Sequence, residues 1–224
     1  MSVAATRSLA GVALGTHDLS FAYRRGGERI LTSLNLELQP GQVTTLTGAS
    51  GAGKSTLLYL LSLLLPATAG SITWDGRAVE NLPDGERARM RAAYSGFVFQ
   101  DAMLDPSRTV LDNVCESALF AGIDAVVARS RALELLERFG IAHRAAHRPG
   151  EVSGGQAQRV ALCRALVTEP EIVFGDEPTG NLDADSARIV WDALADHAAR
   201  GATVVIATHD QTLAALAHRI VVVA

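Results

Sequence analysis

A glycine-rich segment carries the single lysine of the chain. Residues 48–56 have the spacing G-x-x-x-x-G-K-[ST], and Lys54 is the only lysine among 20 basic residues. Glycines let backbone N–H groups approach phosphate oxygens, an ammonium neutralises their charge, and the next hydroxyl can bind Mg²⁺. We therefore predict a phosphate-binding loop made of Gly48, Ala49, Ser50, Gly51, Ala52, Gly53, Lys54, Ser55 and Thr56.

Two carboxylates follow an apolar run later in the chain. Residues 171–177 read Glu-Ile-Val-Phe-Gly-Asp-Glu, and a continuous apolar run is typical of a parallel strand covered on both faces. Asp176 would stand at its carboxyl end, where ligands bind in open α/β sheets, and is predicted to hold Mg²⁺ with Ser55. Glu177 is the natural general base, or orienting group, for an attacking water. A solvated strand end is the alternative, and the phosphate loop in the same chain disfavours it.

A second apolar run, residues 203–208, ends at His209. Carboxyl ends of parallel strands meet at one edge of a sheet, so we predict that His209 lies beside Asp176 and contacts a terminal phosphate. A purely structural role is the usual one for a histidine at a strand end. The remaining histidines show no such setting and are interpreted as solvated or structural, namely His17, His143, His147, His197 and His218.

The elements around the loop fit a phosphate site. Residues 42–47 are β-rich and bounded by Pro40 and Gly41, and leucines at 57, 58, 60 and 61 predict a helix behind the loop. Apolar residues also recur at i, i+3, i+4 and i+7 farther along, which predicts an amphipathic helix through Ala132, Leu135, Leu136 and Phe139.

Composition restricts the class of protein. The chain has 224 residues, 48% of them hydrophobic, and a net charge of -4, which offers no electrostatic case for nucleic acid. The longest apolar run, residues 57–65, is far shorter than the roughly 20 residues that span a bilayer, and residues 1–15 lack the apolar stretch of a signal peptide. Cys115 and Cys163 lack CxxC spacing, which favours two core residues in a reduced setting.

One further motif links the chain to a family. Residues 152–159 read Val-Ser-Gly-Gly-Gln-Ala-Gln-Arg, which resembles the LSGGQ signature of ATP-binding-cassette (ABC) ATPases, with valine for the usual leucine. The resemblance covers nearly the whole chain, and its motifs occur in family order. It implies that ATP is bound by residues of the phosphate loop and, from the signature, by Ser153, Gly154, Gly155 and Gln156.

The resemblance also implies roles for single residues. Tyr23 looks like the aromatic residue that stacks on adenine, although a cross-strand aromatic contact is an alternative. Gln100 is similar to the glutamine that reaches Mg²⁺ and the attacking water. Asp183 matches the D-loop that contributes to the nucleotide site, and His209 matches the switch histidine. Glu177 and His209 are both intact, so an active ATPase is expected rather than a module that only binds nucleotide.

The implied fold is one ABC-type ATP-binding domain over residues 1–224. It is an α/β fold with a P-loop, RecA-like core. An antiparallel β-subdomain is expected at about residues 12–40 and 70–80, and a mostly helical insertion at about residues 101–165.

Residues 96–100 and 177–183 resemble the LolD, MacB and FtsE group most closely. The group implies an ATP- and Mg²⁺-dependent subunit that energises a separately encoded integral membrane permease in lipoprotein release, macrolide or peptide export, or cell division. The chain would be cytoplasmic, peripheral on the inner face of the cell membrane, and either a head-to-tail, ATP-dependent homodimer or one of a pair of ABC subunits. The alternative is a soluble ABC ATPase without a transporter, such as an iron–sulfur assembly factor.

The single lysine generates a prediction. Lys54→Ala should abolish or severely weaken ATP binding, because the phosphates lose their counter-ion. Lys54→Arg should also fail, since a planar fork does not fit where a compact ammonium sits. Titration with a fluorescent ATP analogue measures both variants. Normal nucleotide affinity in the arginine variant would contradict the interpretation of the lone lysine.

Overall fold

The computed structural model describes residues 9–24 and 27–224. Two sheets and a set of helices account for most of this part of the chain. In chain order the elements are β1 (Leu14–Phe21), β2 (Leu31–Leu38), β3 (Val43–Thr47), α1 (Lys54–Leu61), β4 (Ala69–Trp74), β5 (Arg77–Ala78), α2 (Asp84–Tyr94), β6 (Ser95–Val98), α3 (Val110–Phe120), α4 (Ala125–Arg138), α5 (Gly154–Leu166), β7 (Ile172–Asp176), α6 (Ala184–Ala199), β8 (Thr203–Ala207), α7 (Gln211–Ala214) and β9 (Arg219–Val222), with short 3-10 helices at Ala142–Arg144 and Pro149–Glu151.

One sheet is parallel, with the strand order β6-β7-β8-β3-β9. Every residue of β3, β7 and β8 is buried, as expected for strands that are covered on both faces. Neighbouring residues of β7 face opposite cores: Val173 packs with the helices α3 to α6, and Phe174 packs with α1 and the second sheet. With both faces covered, only the edges of this sheet are open to a ligand.

The second sheet is antiparallel and has the order β2-β1-β4-β5. Leu14 of β1 pairs with Leu38 on one side and with Trp74 on the other. The side chains of Leu57 and Leu60 of α1 are completely buried in the core that this sheet shares with the parallel sheet. The antiparallel β-structure that the resemblance implied at residues 12–40 and 70–80 is therefore present.

Helices α3, α4 and α5 occupy the interval in which a helical insertion was expected. The amphipathic repeat falls on α4 and its C-cap, where Ala132 and Leu136 are fully buried and Phe139 nearly so. Leu135 is only partly buried and packs against the same core. The expected insertion boundary near residue 165 falls within α5, whose Leu162 belongs to the core beneath the parallel sheet.

Two histidines have structural contacts, as interpreted. His197 is buried, and its Nε2 lies 2.8 Å from the carbonyl oxygen of Pro170. Nδ1 of His218 accepts a hydrogen bond of 3.1 Å from the backbone N–H of Val43. The first contact joins α6 to the loop before β7, and the second joins the loop before β9 to β3, so both rings have structural contacts.

Both cysteines are free and belong to the core side of their helices. Cys163 is fully buried, and Cys115 is half-buried against the same core. Burial raises the pKa of both thiols, which keeps them protonated and unreactive at neutral pH. Within residues 9–24 and 27–224, no helix has the length and apolar character that crossing a membrane requires.

Candidate functional site

Polar segments follow four strands of the parallel sheet and lie at one edge of it. The glycine-rich loop follows β3, Gln100 follows β6, Asp176 and Glu177 end β7, and His209 follows β8. Because the strands are parallel, their carboxyl ends meet at this edge. The prediction that His209 lies at the same edge as Asp176 is confirmed.

The loop after β3 depends on glycine at two positions. Gly48 has φ 145°, and a Cβ there would lie 2.2 Å from the carbonyl oxygen of Val223. Gly53 has φ 95°, and a Cβ there would lie 2.8 Å from Cγ2 of Ile30. Side chains are excluded at both points because each combines an unfavourable backbone conformation with a close neighbour. The loop can therefore bring its own backbone close to a ligand.

Helix α1 begins differently from most helices of the described chain. Its N-cap is Gly53, which has no side chain to accept a hydrogen bond from the first turn. By contrast, α3, α4, α5, α6 and α7 are each capped by a side chain, from Thr109, Asp124, Ser153, Asp183 and Asp210 respectively. The first N–H groups of α1, at the positive end of the helix dipole, are thus available to an anion held by the loop.

Lys54 is the first residue of α1 and reaches back over the loop. Its Nζ donates hydrogen bonds of 3.0 Å each to the carbonyl oxygens of Gly48 and Ala49. The ammonium group, the loop amides and the end of the helix dipole therefore concentrate positive charge in one place. This arrangement fits a polyphosphate.

The carboxylate of Asp176 connects β7 to α1. Asp176 is only 8% exposed, and both of its oxygens accept hydrogen bonds. Ser55 Oγ lies 2.8 Å from Oδ1, and Tyr59 Oη lies 2.5 Å from Oδ2. Burial and the neighbouring Asp176 raise the pKa of Tyr59, so its hydroxyl is the donor at neutral pH. The sequence analysis missed Tyr59, whose i, i+4 spacing from Ser55 was the available signal.

Ser55 and Asp176 fit the donor set that Mg²⁺ prefers. Within the described ranges, no group of three or more His, Cys, Asp or Glu side chains could hold a metal ion. Mg²⁺ does not need such a group, because it commonly uses one or two carboxylates together with substrate phosphates and water. Gln100, the third expected ligand, lies near Gly180, where an added Cβ would be 3.7 Å from Nε2 of Gln100. The glutamine therefore adjoins the segment that follows Glu177.

Glu177 is held firmly beside His209. Its Oε1 lies 2.8 Å from Nδ1 of His209, and its Oε2 accepts a 3.2 Å hydrogen bond from the hydroxyl of Thr208. Glu177 has φ 46°, a strained conformation for a residue with a side chain, and its N–H donates to the carbonyl of Ala207 at 2.9 Å. Strain of this kind concentrates at functional sites because the surrounding contacts must enforce it. Thr208 was not singled out from the sequence.

Tyr23 lies beyond the end of β1 and close to the start of α1. Its hydroxyl is 3.0 Å from Oγ1 of Thr56, and its ring meets Phe21 edge-to-face with 4.9 Å between centroids. The residue is 63% exposed, so much of the ring surface is open beside the phosphate loop. Because Tyr23 follows the strand, the alternative of a cross-strand aromatic pair does not describe its position.

The signature segment makes hydrogen bonds within itself and packs against the start of α6. Ser153 caps α5: its Oγ accepts from the N–H of Gln156 at 3.3 Å, and the Gln156 side chain accepts from the N–H of Ser153 at 3.0 Å. Gly155 packs closely against Ser186, because a Cβ added to Gly155 would lie 2.9 Å from Oγ of Ser186. No hydrogen bond between described residues joins 153–156 to the loop at 48–56. The sequence-predicted site is therefore divided between two places in the chain.

Asp183 lies next to the signature segment. It caps α6 and accepts hydrogen bonds from the backbone N–H of Ser186 at 2.8 Å and from its hydroxyl at 3.0 Å. These two hydrogen bonds lower the pKa of Asp183 and keep the carboxylate ionised. The D-loop residue and the signature thus form one continuous surface.

Gln158 joins the segment that precedes Gln100 to the segment that follows Glu177. It is only 3% exposed, and its Nε2 donates to the carbonyl oxygens of Phe99 at 2.8 Å and of Pro178 at 2.9 Å. One carbonyl precedes Gln100 and the other follows Glu177. Gln158 lies just before the apolar stretch of α5, and its burial was not evident from the sequence; a buried amide requires hydrogen-bond partners.

Comparisons with known proteins agree with this geometry. Residues 31–180 match the ABC transporter family. The chain is 45% identical over 204 residues to the lipoprotein-releasing system ATP-binding protein LolD of Myxococcus xanthus, covering 90% of this chain and 91% of the relative. It is also 45% identical over 196 residues to the macrolide export ATP-binding/permease protein MacB 1/2 of Paracoccus denitrificans, covering 88% of this chain but only 29% of that protein.

Solved structures show the same fold. The ATP-binding cassette MJ0796, solved as a dimer in a post-hydrolysis state with ADP and phosphate, matches with a TM-score of 0.86 and 34% identity. The match covers 94% of each chain. The expected ABC ATPase fold is confirmed. The resemblance of the chain to the LolD and MacB group is also confirmed.

Gln158 provides a stability prediction. Gln158→Leu should lower the free energy of unfolding by about 2 kcal/mol, because two carbonyl oxygens lose their donor in a buried place. Gln211→Leu, at an exposed position of α7, is the matched control and should change stability by less than about 0.5 kcal/mol. Urea unfolding followed by circular dichroism measures both. Equal effects in the two variants would show that the Gln158 hydrogen bonds contribute nothing specific.

Proposed function

The chain belongs to the ABC transporter family, and on that premise we propose that it binds ATP with Mg²⁺, hydrolyses it to ADP and phosphate, and energises a membrane permease carried on a separate chain. The main support is the meeting of the phosphate loop, the Ser55–Asp176 pair and the Glu177–His209 pair at one edge of the parallel sheet. Positive charge, a metal-binding oxygen pair and an oriented carboxylate are what phosphoryl transfer to water requires.

The triphosphate of ATP is proposed to lie in the loop that runs from Gly48 to Thr56. The loop amides and the free N–H groups of α1 would bind phosphate oxygens, and Lys54 would move its ammonium from the loop carbonyls to the β- and γ-phosphates. Adenine would stack on the exposed ring of Tyr23, whose hydroxyl is anchored to Thr56. Base–aromatic stacking contributes roughly 1–3 kcal/mol in other nucleotide sites.

Ser55 and Asp176 are proposed to hold Mg²⁺, with Gln100 reaching it from the segment after β6. When bound, the ion would neutralise charge on the β- and γ-phosphates. The Ser55 hydroxyl already lies 2.8 Å from Oδ1 of Asp176, so the two oxygens need little rearrangement to share a ligand. Because Asp176 is buried, its charge also acts with little screening by solvent.

Glu177 is proposed as the residue that orients and deprotonates the attacking water. The water oxygen bonds to the γ-phosphorus, the bond to the bridging oxygen of ADP breaks, and the water proton passes to Glu177. Thr208 and His209 keep the carboxylate in place through its two oxygens. The exposed ring of His209 would contact the γ-phosphate through Nε2, because Nδ1 faces Glu177.

The division of the site between two surfaces supports a head-to-tail dimer. Within the described residues, no hydrogen bond joins the phosphate loop to the signature residues Ser153, Gly154, Gly155 and Gln156 or to Asp183 of the same chain. In a two-fold dimer each copy can present this surface to the loop of the other, so each γ-phosphate would contact both chains. The solved relative is itself a dimer. A homodimer fits this arrangement, as does pairing with a second ABC subunit.

The permease is proposed to dock in a groove of about 670 Å³ between α2 and α3. Leu64, Met103 and Phe120 are exposed in its lining, with 41%, 65% and 76% of their surface accessible. Phe97 and Phe99 also line it, and Phe99 directly precedes Gln100. A helix with an apolar face is the occupant that such a groove fits. Movement of Gln100 during hydrolysis would reach the permease directly.

The chain would work on the inner face of the cell membrane, where ATP is available, as a peripheral subunit. Its relatives suggest lipoprotein release or macrolide export as the class of permease, and the motif resemblance adds a cell-division system. The net charge of -4 gives no support to a nucleic-acid partner. The second candidate function is a soluble ABC ATPase without a permease, and the groove disfavours it because a large exposed apolar surface marks a protein contact.

The dimer and the role of Glu177 can be tested together. Glu177→Gln keeps shape and hydrogen-bonding reach but cannot take a proton, so ATP should bind while hydrolysis nearly stops. The ATP-bound dimer should then accumulate in Mg-free ATP, as size-exclusion chromatography with light scattering would show. Adding Ser153→Arg or Gly154→Asp should abolish the trapped dimer and leave ATP binding to the monomer largely intact.

Two results would contradict these assignments. Hydrolysis at the wild-type rate in Glu177→Gln would remove Glu177 as the catalytic carboxylate. A trapped dimer that persists with Ser153→Arg would remove the signature from the dimer contact. If Glu177→Gln stays monomeric alone, the same measurement with the permease present shows whether closure requires the partner.

The docking groove gives a separate prediction. Phe120→Glu should reduce the amount of a multi-span membrane protein that copurifies with the tagged chain from detergent-solubilised membranes, because it places a charge in the apolar groove. Val126→Glu, at a 78% exposed apolar position outside the groove lining, is the matched control. Copurification with soluble partners alone, in the unmodified protein, would favour the second candidate function.

A further inference from the structure

Tyr59 and Ser55, both on α1, donate hydrogen bonds to the same carboxylate, that of Asp176. They are four residues apart on α1, and the i, i+4 spacing places them on the same face. Ser55 holds Oδ1 of Asp176 at 2.8 Å, and Tyr59 holds Oδ2 at 2.5 Å. Two contacts to different oxygens fix both the position and the rotation of the carboxylate, which one contact could not do.

The ring of Tyr59 is itself restrained by aromatic packing. Its centroid lies 6.0 Å from that of Phe97. Phe97 stacks on Phe99 at 4.1 Å and lies 6.1 Å from Phe174, the completely buried residue two positions before Asp176 in β7. The aromatic cluster therefore holds the tyrosine hydroxyl at a set distance from the end of the same strand that carries the carboxylate.

The two hydroxyls are not equivalent. Ser55 stands next to Lys54 in the phosphate loop, where a metal ion and a phosphate would meet, so its bond to Asp176 must loosen when Ser55 becomes a metal ligand. Tyr59 lies one helical turn deeper, away from the loop. Its bond to Oδ2 can persist while Oδ1 turns to a new partner. Hydrogen bonds to a ligating carboxylate orient it and tune its metal affinity.

We propose that Tyr59 is a positioning residue for the magnesium site: its hydroxyl holds Asp176 through Oδ2 so that Oδ1 stays directed at the ion shared with Ser55. The proposal rests on the proposed function, because it requires that Ser55 and Asp176 hold Mg²⁺. In this role Tyr59 acts only through its hydrogen bond to Asp176.

The test compares nucleotide affinity with and without the ion. A fluorescent ATP analogue is titrated into Glu177→Gln, which prevents hydrolysis, once in excess Mg²⁺ and once in EDTA. Tyr59→Phe is added to this background, since it removes the hydroxyl and keeps the ring against Phe97. Tyr94→Phe, a tyrosine 42% exposed on α2, is the matched control.

Tyr59→Phe should leave the affinity in EDTA unchanged and weaken the affinity in Mg²⁺ by roughly 10-fold, the low end of what loss of a hydrogen bond to a metal ligand costs. The Mg²⁺ concentration that gives half-maximal ATPase rate should rise similarly in Tyr59→Phe on the otherwise wild-type chain. Tyr94→Phe should match its parent in both assays.

Three results would overturn the proposal. If Tyr59→Phe lowers both affinities equally, the residue has only a structural role in the loop region. If neither affinity changes, or the Mg²⁺ affinity improves, the hydroxyl does not position Asp176. If the parent protein binds nucleotide equally well in Mg²⁺ and EDTA, the proposed magnesium site itself fails, and the positioning role fails with it.

Discussion

The site depends on the hydrogen bonds that join the Asp176 carboxylate to α1. A buried carboxylate is costly unless its oxygens are hydrogen-bonded, and Asp176 obtains its partners from α1. This contact fixes the helix that begins at the phosphate loop against the strand that ends at Glu177. The two halves of the site come from segments 121 residues apart in sequence, and Ser55–Asp176 is the bond that brings them into register.

The loop concentrates positive charge because α1 lacks the side-chain cap that most other helices of the described chain have. Gly53 can take the required backbone conformation but offers no acceptor to the first turn. Glu177 shows the opposite solution, since a non-glycine residue is kept at positive φ by hydrogen bonds to Ala207, Thr208 and His209. At both positions the backbone has a positive φ, which is costly in local stability but produces the geometry that the proposed phosphate and water sites require.

Coupling across the molecule has a physical basis in three buried or packed contacts. Gln158 joins the carbonyls of Phe99 and Pro178, so the segments leading to Gln100 and away from Glu177 are tied together. Phe97 and Phe99 extend from the surroundings of Tyr59, the partner of Asp176, to the groove between α2 and α3. The signature surface begins on the same helix as Gln158. A change at the proposed γ-phosphate site would therefore be transmitted through packed neighbours to both the proposed dimer contact and the proposed permease groove.

The sequence by itself determined the class of the site. The glycine spacing before Lys54 specifies the loop, and the continuous apolar runs before Asp176 and His209 specify parallel strands whose ends must meet, because strands buried on both faces leave only their edges free. What only the tertiary structure decided is which side chains restrain these groups. Tyr59 and Thr208 lie outside the motifs, and the motif that contains Gln158 does not say what its side chain binds. The partners of these residues lie up to 117 residues away, and local periodicity does not identify such pairs. The structure also placed Tyr23 beyond its strand and Gly155 of the signature against Ser186 of α6, because these positions follow from how the two sheets and the helical region pack.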